Sequence, residues 1–401
     1  MTWREISIEA LCTMVTSGGT PNRSRSEYWE NGTIPWLKTG ELNDGIVYSA
    51  EEKITTDGLK NSSAKIFPVN TVLMAMYGDG KTITTLSILG NECASNQACA
   101  AMIADPEICD YRFLFYALKQ YRRRLLSLVV AGAQRNLSLG IIKRFSLSVP
   151  DLHTQKRIAS ILSAYDDLIE NNRRRIALLE QAARLLYREW FVHFRFPGHE
   201  TAKIVDGLPE GWCYAPVRDL GRVITGKTPS KKIATNFNGS IPFIKTPDMH
   251  GNIFVLSSQE TLTEQGAKSQ PTKTIPAGSI LVSCIGTVGV VAITSSYAQF
   301  NQQINAVVPN EDISQIYCYF TLSALKRRLK AIGGGATMSN VNKNKFESLS
   351  VCKPPRNIQR SFQLATEHQF ELIHKLSRQN AQLTRARDLL LPRLMDGRIP
   401  V

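Results

Sequence analysis

Asn31-Gly32-Thr33-Ile34-Pro35-Trp36-Leu37-Lys38-Thr39 returns later in the chain as Asn238-Gly239-Ser240-Ile241-Pro242-Phe243-Ile244-Lys245-Thr246. Upstream, Ser17-Gly18-Gly19-Thr20-Pro21 has its counterpart in Thr225-Gly226-Lys227-Thr228-Pro229. Downstream, Pro68 opens an apolar run ending at Gly78, and Pro276 opens another ending at Gly286. Asn96-Gln97 is echoed by Asn301-Gln302, Phe115-Tyr116-Ala117-Leu118 by Tyr319-Phe320-Thr321-Leu322, and Arg123-Arg124-Leu125 by Arg327-Arg328-Leu329. The offset stays between 204 and 208 throughout. Chance yields one such pair easily, but not six in the same order, so the chain carries one unit twice.

Each copy joins a globular part to a long helix. Val72–Tyr77 and Ser279–Ile285 are apolar and bounded by Gly or Pro, as buried strands are. The helices follow Ser148-Val149-Pro150 and Lys353-Pro354-Pro355, where proline marks a domain edge. In the first helix, Ile158, Leu162, Tyr165, Ile169, Asn172, Ile176, Leu179, Ala183, Leu186 and Trp190 alternate steps of four and three. That is the seam of a coiled coil about 50 Å long. The second helix keeps the frame less cleanly through Phe362, Ile373, Leu376, Asn380, Leu383 and Leu390, with Gln369 and Arg387 on seam positions. The two stripes bury against each other or against a partner chain. Asn172 and Asn380 either pin register at some cost in stability or face a wet gap. Arg173-Arg174-Arg175 falls off the seam, as a solvated face or a docking surface.

The expected fold is α+β: two pseudo-repeated, mixed α/β domains separated by two long helices, which, if they pair with each other, form an antiparallel coiled coil with the domains at opposite ends. The expected boundaries are 1–152 for the first domain, 153–196 for the central helical region, 197–356 for a linker and the second domain, and 357–397 for the C-terminal helical region. Two such domains on a helical spacer suit a bipartite, gapped DNA target, whose half-sites present their major grooves at fixed separation.

Charge points the same way. The net charge is +14, and it is uneven: residues 1–200 hold 24 Lys+Arg against 21 Asp+Glu, residues 201–401 hold 24 against 13. A basic half favours a polyanion, because cations near phosphates release condensed counterions. The eight cysteines form no CxxC and no histidine pair stands at ligand spacing, so no metal site is expected. Free thiols in apolar runs suit a reducing cytoplasm. Met1-Thr2-Trp3-Arg4-Glu5 does not read as a signal peptide, and the longest apolar stretch, Ile280 to Ile293, is too short to span a bilayer. No membrane partner is expected.

Motifs for chemistry are absent or incomplete. Tyr77-Gly78-Asp79-Gly80-Lys81-Thr82 ends like a phosphate-binding loop, but Ala75 stands where the first glycine is required. No adenine-methylase Asn-Pro-Pro-Tyr, nuclease triad or nucleophile motif occurs. Glu51-Glu52-Lys53 reads as a solvated charge cluster.

Several stretches resemble the specificity subunits of type I restriction–modification systems. They are Gly132-Ala133-Gln134-Arg135-Asn136-Leu137, the helix opening Gln155-Lys156-Arg157-Ile158-Ala159, Arg188-Glu189-Trp190-Phe191-Val192-His193-Phe194-Arg195-Phe196-Pro197, and Gly207-Leu208-Pro209-Glu210-Gly211-Trp212. The resemblance covers essentially the whole chain. Two departures lie in the second half: Ser361 stands opposite Arg157, and Thr337-Met338-Ser339-Asn340 replaces the Gln-Arg-Asn pattern. The resemblance implies a non-catalytic DNA-reading subunit whose two target-recognition domains each read half of an asymmetric site. It implies as partners double-stranded DNA, two DNA adenine methyltransferase subunits and restriction–translocase subunits. S-adenosylmethionine, ATP and magnesium would belong to those partners. Rival readings are a coiled-coil interaction protein, a non-specific DNA-binding protein, or a single-chain enzyme with an unrecognised motif.

Polar groups on glycine-rich loops suit DNA contacts, since backbone can approach closely there. In the first copy the candidates are Thr20, Arg23, Arg25, Lys38, Thr39, Tyr77, Lys81, Gln134, Arg135 and Asn136. In the second they are Lys227, Thr228, Lys231, Lys232, Lys245, Thr246, Thr287, Ser339, Asn340, Asn342, Lys343 and Lys345. Lysines suit phosphates, the arginine fork suits guanine, and amides suit adenine edges. The plain alternatives are solvated strand ends for Lys38 and Lys245, and loop capping for the asparagines.

Overall fold

The two apolar runs bounded by glycine and proline are strands at the centre of their sheets. Every side chain of Val72–Ala75 and of Ile280–Ser283 is buried, as a strand covered on both faces requires. A computed structural model of the chain describes residues 3–78, 82–129, 136–334 and 340–401. It divides into two compact units, residues 1–170 with 382–401, and residues 171–381.

In the first unit a five-stranded sheet has the order Cys12–Ser17, Cys99–Ala104, Val72–Ala75, Leu86–Leu89, Ile46–Val47. Its last pair is parallel and the others antiparallel. In the second unit the sheet Gly221–Thr225, Ile304–Pro309, Ile280–Ser283, Val291–Thr294, Phe254–Val255 repeats that order and those directions. A second sheet also recurs. Glu52–Ile54, Ile34–Leu37, Cys93–Ser95 and Ile66–Phe67 form it in the first unit, with Glu260–Leu262, Phe237–Ile244 and Gln299–Phe300 in the second. The fourth strand shrinks there to one bridge, Ile275 to Ala298. The repeat in sequence is therefore a repeat in topology.

A helix covers each large sheet. Tyr111–Gln120 begins at Asp110, whose carboxylate accepts from the Arg112 and Phe113 amides at 2.9 and 3.0 Å. Gln315–Ala324 begins at Ser314, whose hydroxyl accepts from the Tyr317 amide at 3.2 Å. Both caps satisfy amides that the first turn leaves open.

The long helices are Leu152–Phe191 and Arg356–Met395. Each is locked to its own domain by a buried glutamine. Gln155 accepts from the Asp110 amide at 3.0 Å and donates to the Ile108 and Pro150 carbonyls at 3.0 Å. Gln359 accepts from the Ser314 amide at 3.1 Å and donates to the Pro354 carbonyl at 2.9 Å. This lock explains the glutamine of the Gln155-Lys156-Arg157 opening. Arg157 and Ser361 are both exposed, so the departure between the copies leaves the joint untouched.

Within each unit the two helices pack antiparallel. In the first, Ile158 and Leu162 share a core with Leu391, Leu394 and Met395, and Arg387 pairs with Asp166. In the second, Asn172 donates to the Asn380 carbonyl oxygen at 2.9 Å and to that of Gln379 at 3.2 Å. Phe362 meets Phe191 at 5.0 Å and Trp190 at 5.7 Å between ring centroids. All ten seam residues expected on the first helix are buried or half-buried. Asn172 is 1% exposed, so the asparagines are packed and bonded rather than facing a wet gap. Arg173, Arg174 and Arg175 are exposed. On the second helix Ile373 and Leu376 are buried, and Asn380, Leu383 and Leu390 half-buried. Thr366 lies buried at the seam position that the sequence left open, and Phe370, one residue past the half-buried Gln369, is buried beside the seam. Thr366 fits because its hydroxyl returns to the Phe362 carbonyl at 2.7 Å.

The aromatic run Trp190–Phe196 closes the first helix within the second unit. Phe191 and Phe196 pack on Trp212 at 5.8 and 5.2 Å, and Phe191 on Tyr317 at 4.9 Å. Among the described residues no helix is long and apolar enough to cross a membrane.

Candidate nucleic-acid interface

Five chain segments of the first unit meet where two parallel strands end. Ile34–Leu37 and Cys93–Ser95 run side by side, and the Asn96 amide donates to the Leu37 carbonyl at 2.9 Å. Lys38 and Gln97 thus leave the sheet as neighbours. The Ala98 carbonyl accepts from the Met76 amide at 2.8 Å, which brings Tyr77 alongside. Tyr77 bridges to Asn136, and the Leu137 amide donates to the Met76 carbonyl at 2.9 Å. The Gly18-Gly19-Thr20 loop closes the cluster, with the Thr20 hydroxyl donating to the Gln97 carbonyl oxygen.

The second unit assembles the same edge. The Asn301 amide donates to the Ile244 carbonyl at 3.1 Å, setting Gln302 beside Lys245. The Cys284 amide donates to the Gln303 carbonyl at 2.7 Å, Ile285 bridges to Asn340, and the Val341 amide donates to the Cys284 carbonyl at 2.8 Å. The Thr228 hydroxyl donates to the Gln302 carbonyl oxygen at 2.8 Å. Glycine is required in both closing loops. A Cβ on Gly18 or Gly226 would lie 2.1 Å from the Ser95 or Asn301 carbonyl oxygen, so only the bare backbone fits.

The cations differ in freedom. Arg23 stacks on Trp29 with its guanidinium 3.7 Å from the ring centroid and pairs with Glu52. Lys38 reaches Glu52 at 3.0 Å and Glu51 at 3.1 Å. Hydrogen bonds from these two carboxylates raise the Lys38 ammonium above its ordinary value, and Arg23 and Lys38 hold the Glu52 carboxyl below its own. The stretch Glu51-Glu52-Lys53 is therefore not a free solvated cluster: Glu52 bridges two of the candidate cations. Lys245 pairs with Glu260 in the matching place. Arg25 lies 3.6 Å from Glu27. Lys227, Lys231 and Lys232 are exposed, and among the described residues none of them has an ion-pair partner.

The remaining candidates fall in varied settings. Thr39 and Thr246 each follow a lysine whose amide is held by a carboxylate, Glu41 at 2.7 Å and Asp248 at 2.8 Å. Thr39 is half-buried; Thr246 is buried, its hydroxyl enclosed without a hydrogen-bond partner. Tyr77 and Thr287 are exposed, as are Asn340 and Lys345, while Asn136 is half-buried. Asn342 caps Lys343–Glu347 by accepting from the Lys345 amide at 2.9 Å, and Lys343 pairs with Glu347 at 3.6 Å. Lys81, Gln134, Arg135 and Ser339 lie outside the described residues, as do positions 79 and 80 of the phosphate-loop-like stretch. Sequence reasoning passed over Gln97, Gln302, Glu260 and Trp29 as site residues. The Asn96-Gln97 and Asn301-Gln302 echo was the available signal for the glutamines.

The family described as type I restriction modification DNA specificity domain matches residues 1–181 and 209–363. The type I restriction enzyme HindI specificity subunit of Haemophilus influenzae is 33% identical over 331 residues, covering 67% of this chain and 72% of that protein. The MjaIX specificity subunit of Methanocaldococcus jannaschii is 26% identical over 403 residues, covering 96% and 91%. The crystal structure of a type I restriction–modification S subunit from M. genitalium shares the fold, with a TM-score of 0.58 at 15% identity over 98% of this chain and 96% of that one.

Proposed function

The chain belongs to the type I restriction modification DNA specificity family, and from that premise we propose that each convergent strand edge faces one half of a bipartite, gapped duplex target. The chain is a DNA-recognition subunit and not itself a catalyst. Two specificity domains suit a two-part site. The observation that carries the reading is the duplicated edge. Lys38 and Gln97 in one unit, and Lys245 and Gln302 in the other, stand side by side at the ends of parallel strands. Such an edge offers exposed glutamine amides on a fixed backbone, beside lysines held by Glu52 and Glu260, and amide donors so placed suit groove and phosphate contacts.

Specificity subunits of this family bind DNA and assemble with methyltransferase and restriction subunits. In the proposed complex two methyltransferase copies dock on the paired helices, and S-adenosylmethionine, ATP and magnesium sit on the partners. The helices set the number of base pairs between half-sites. The chain works in the cytoplasm, where its target and partners are.

The test is a methylome map. The chain is expressed with its methyltransferase subunit in methylation-free bacteria, and modified adenines are read by long-read sequencing. One gapped motif that appears only with this chain is the expected result. Methylation that ignores this chain would overturn the reading and favour a coiled-coil interaction protein.

A further inference from the structure

We propose that the Thr20–Gln97 and Thr228–Gln302 pairs grip the DNA backbone in the same way in both half-sites, leaving base identity to neighbours that differ between the copies. The inference rests on the reading that each convergent edge faces DNA. An asymmetric target presents different bases to the two domains but the same phosphates. A device kept in both copies with the same partners therefore serves what the half-sites share.

The chemistry fits a phosphate oxygen. Each threonine hydroxyl donates to the glutamine carbonyl oxygen, which turns the amide nitrogen and its two donors the other way. Gln97 and Gln302 are exposed, while Thr20 and Thr228 are half-buried beneath them. Each loop runs close against the strand end that carries its glutamine: a Cβ on Gly18 or Gly226 would lie 2.1 Å from the Ser95 or Asn301 carbonyl oxygen. Donors on a fixed frame position a duplex without reading its sequence. The neighbours behave otherwise. Gly19 stands where the second copy has Lys227, and Tyr77 where it has Ile285.

The test uses the full chain assembled with its methyltransferase subunit. Affinity for a target duplex is measured by fluorescence anisotropy, and the methylated motif by sequencing. Gln97→Ala and Gln302→Ala should each weaken binding about tenfold, the worth of one hydrogen bond to a charged acceptor, with the motif unchanged. Gln97→Glu keeps the shape but sets a carboxylate against the phosphate, and should bind more weakly than Gln97→Ala. A base position that broadens in one half-site would make the glutamine a base reader and overturn the proposal. So would unchanged affinity, or a Glu variant that binds no worse than the Ala variant. If the wild-type chain itself directs no gapped motif, the DNA-recognition reading fails first; if it does, these outcomes judge the backbone grip alone.

Discussion

Replacing Arg387 by methionine should destabilise the first unit by about 2 kcal/mol, and removing its partners as well should restore most of the loss. Arg387 lies on the helix seam with its side chain 11% exposed, against an Asp166 side chain that is 25% exposed. Tyr116 donates to the other Asp166 oxygen at 2.6 Å. Desolvation opposes the Arg387 charge, but Asp166 and Asp388 raise its pKa above the ordinary value all the same; burial and the adjacent Asp166 push the Tyr116 phenol up. Losing one member of a buried ion pair costs ~3–5 kcal/mol. Asp166 keeps some solvent and its tyrosine, so the lower figure of about 2 kcal/mol applies here. The triple variant Tyr116→Phe, Asp166→Leu, Arg387→Met removes the three partly buried partners together, leaves only the solvent-exposed Asp388 without its arginine, and should fall within about 1 kcal/mol of wild type. Urea unfolding followed by far-UV circular dichroism measures both, with the slope compared to confirm that the unfolding surface is unchanged. A triple variant as unstable as Arg387→Met would refute the argument, since the loss would then come from packing rather than a stranded charge. A cost below about 0.5 kcal/mol for Arg387→Met would refute it too.

Three further outcomes follow from the structure. Asp44 pairs with Arg122 and accepts from the Leu86 amide at 3.1 Å; burial opposes its charge, but these partners hold its carboxyl below the ordinary value. Its contribution is therefore present above the unfolded carboxylate pKa and lost as pH falls through the lower folded one, so Asp44→Asn should be destabilised at pH 7 by about 1 kcal/mol and match wild type near pH 2 in melting scans. Cys213 is the exposed cysteine, while burial pushes the Cys318 and Cys99 thiols up to about 12, so a maleimide should label Cys213 first in the native protein, and early modification of Cys318 by mass spectrometry would contradict the packing. Inserting one heptad into both long helices keeps the seam in frame and should change the spacer of the methylated motif but neither half-site; an unchanged spacer would remove the ruler role.

The long helices were legible because burial along a seam imposes a 3.5-residue period, and nothing local hides it where the residues are apolar, as from Ile158 to Trp190. The second helix read poorly because its buried polar residues are satisfied by means a pattern does not show. Thr366 returns its hydroxyl to its own backbone, and Arg387 finds Asp166 across the unit. The duplication was legible too, since both copies keep the same turn and strand residues in order.

The sequence by itself determined that one mixed α/β unit occurs twice and that two heptad helices accompany it, because both follow from periodicities written along the chain. Only the tertiary structure decided which polar residues meet. Lys38 and Gln97 are far apart in sequence and become neighbours through a parallel strand pair, a pairing that local pattern does not encode. The same holds for the carboxylates: Glu52 and Glu260 take up Lys38 and Lys245 because adjacent strands place them there. Which lysines remain free for a polyanion is thus set by sheet register, and charge counted along the chain carries no register.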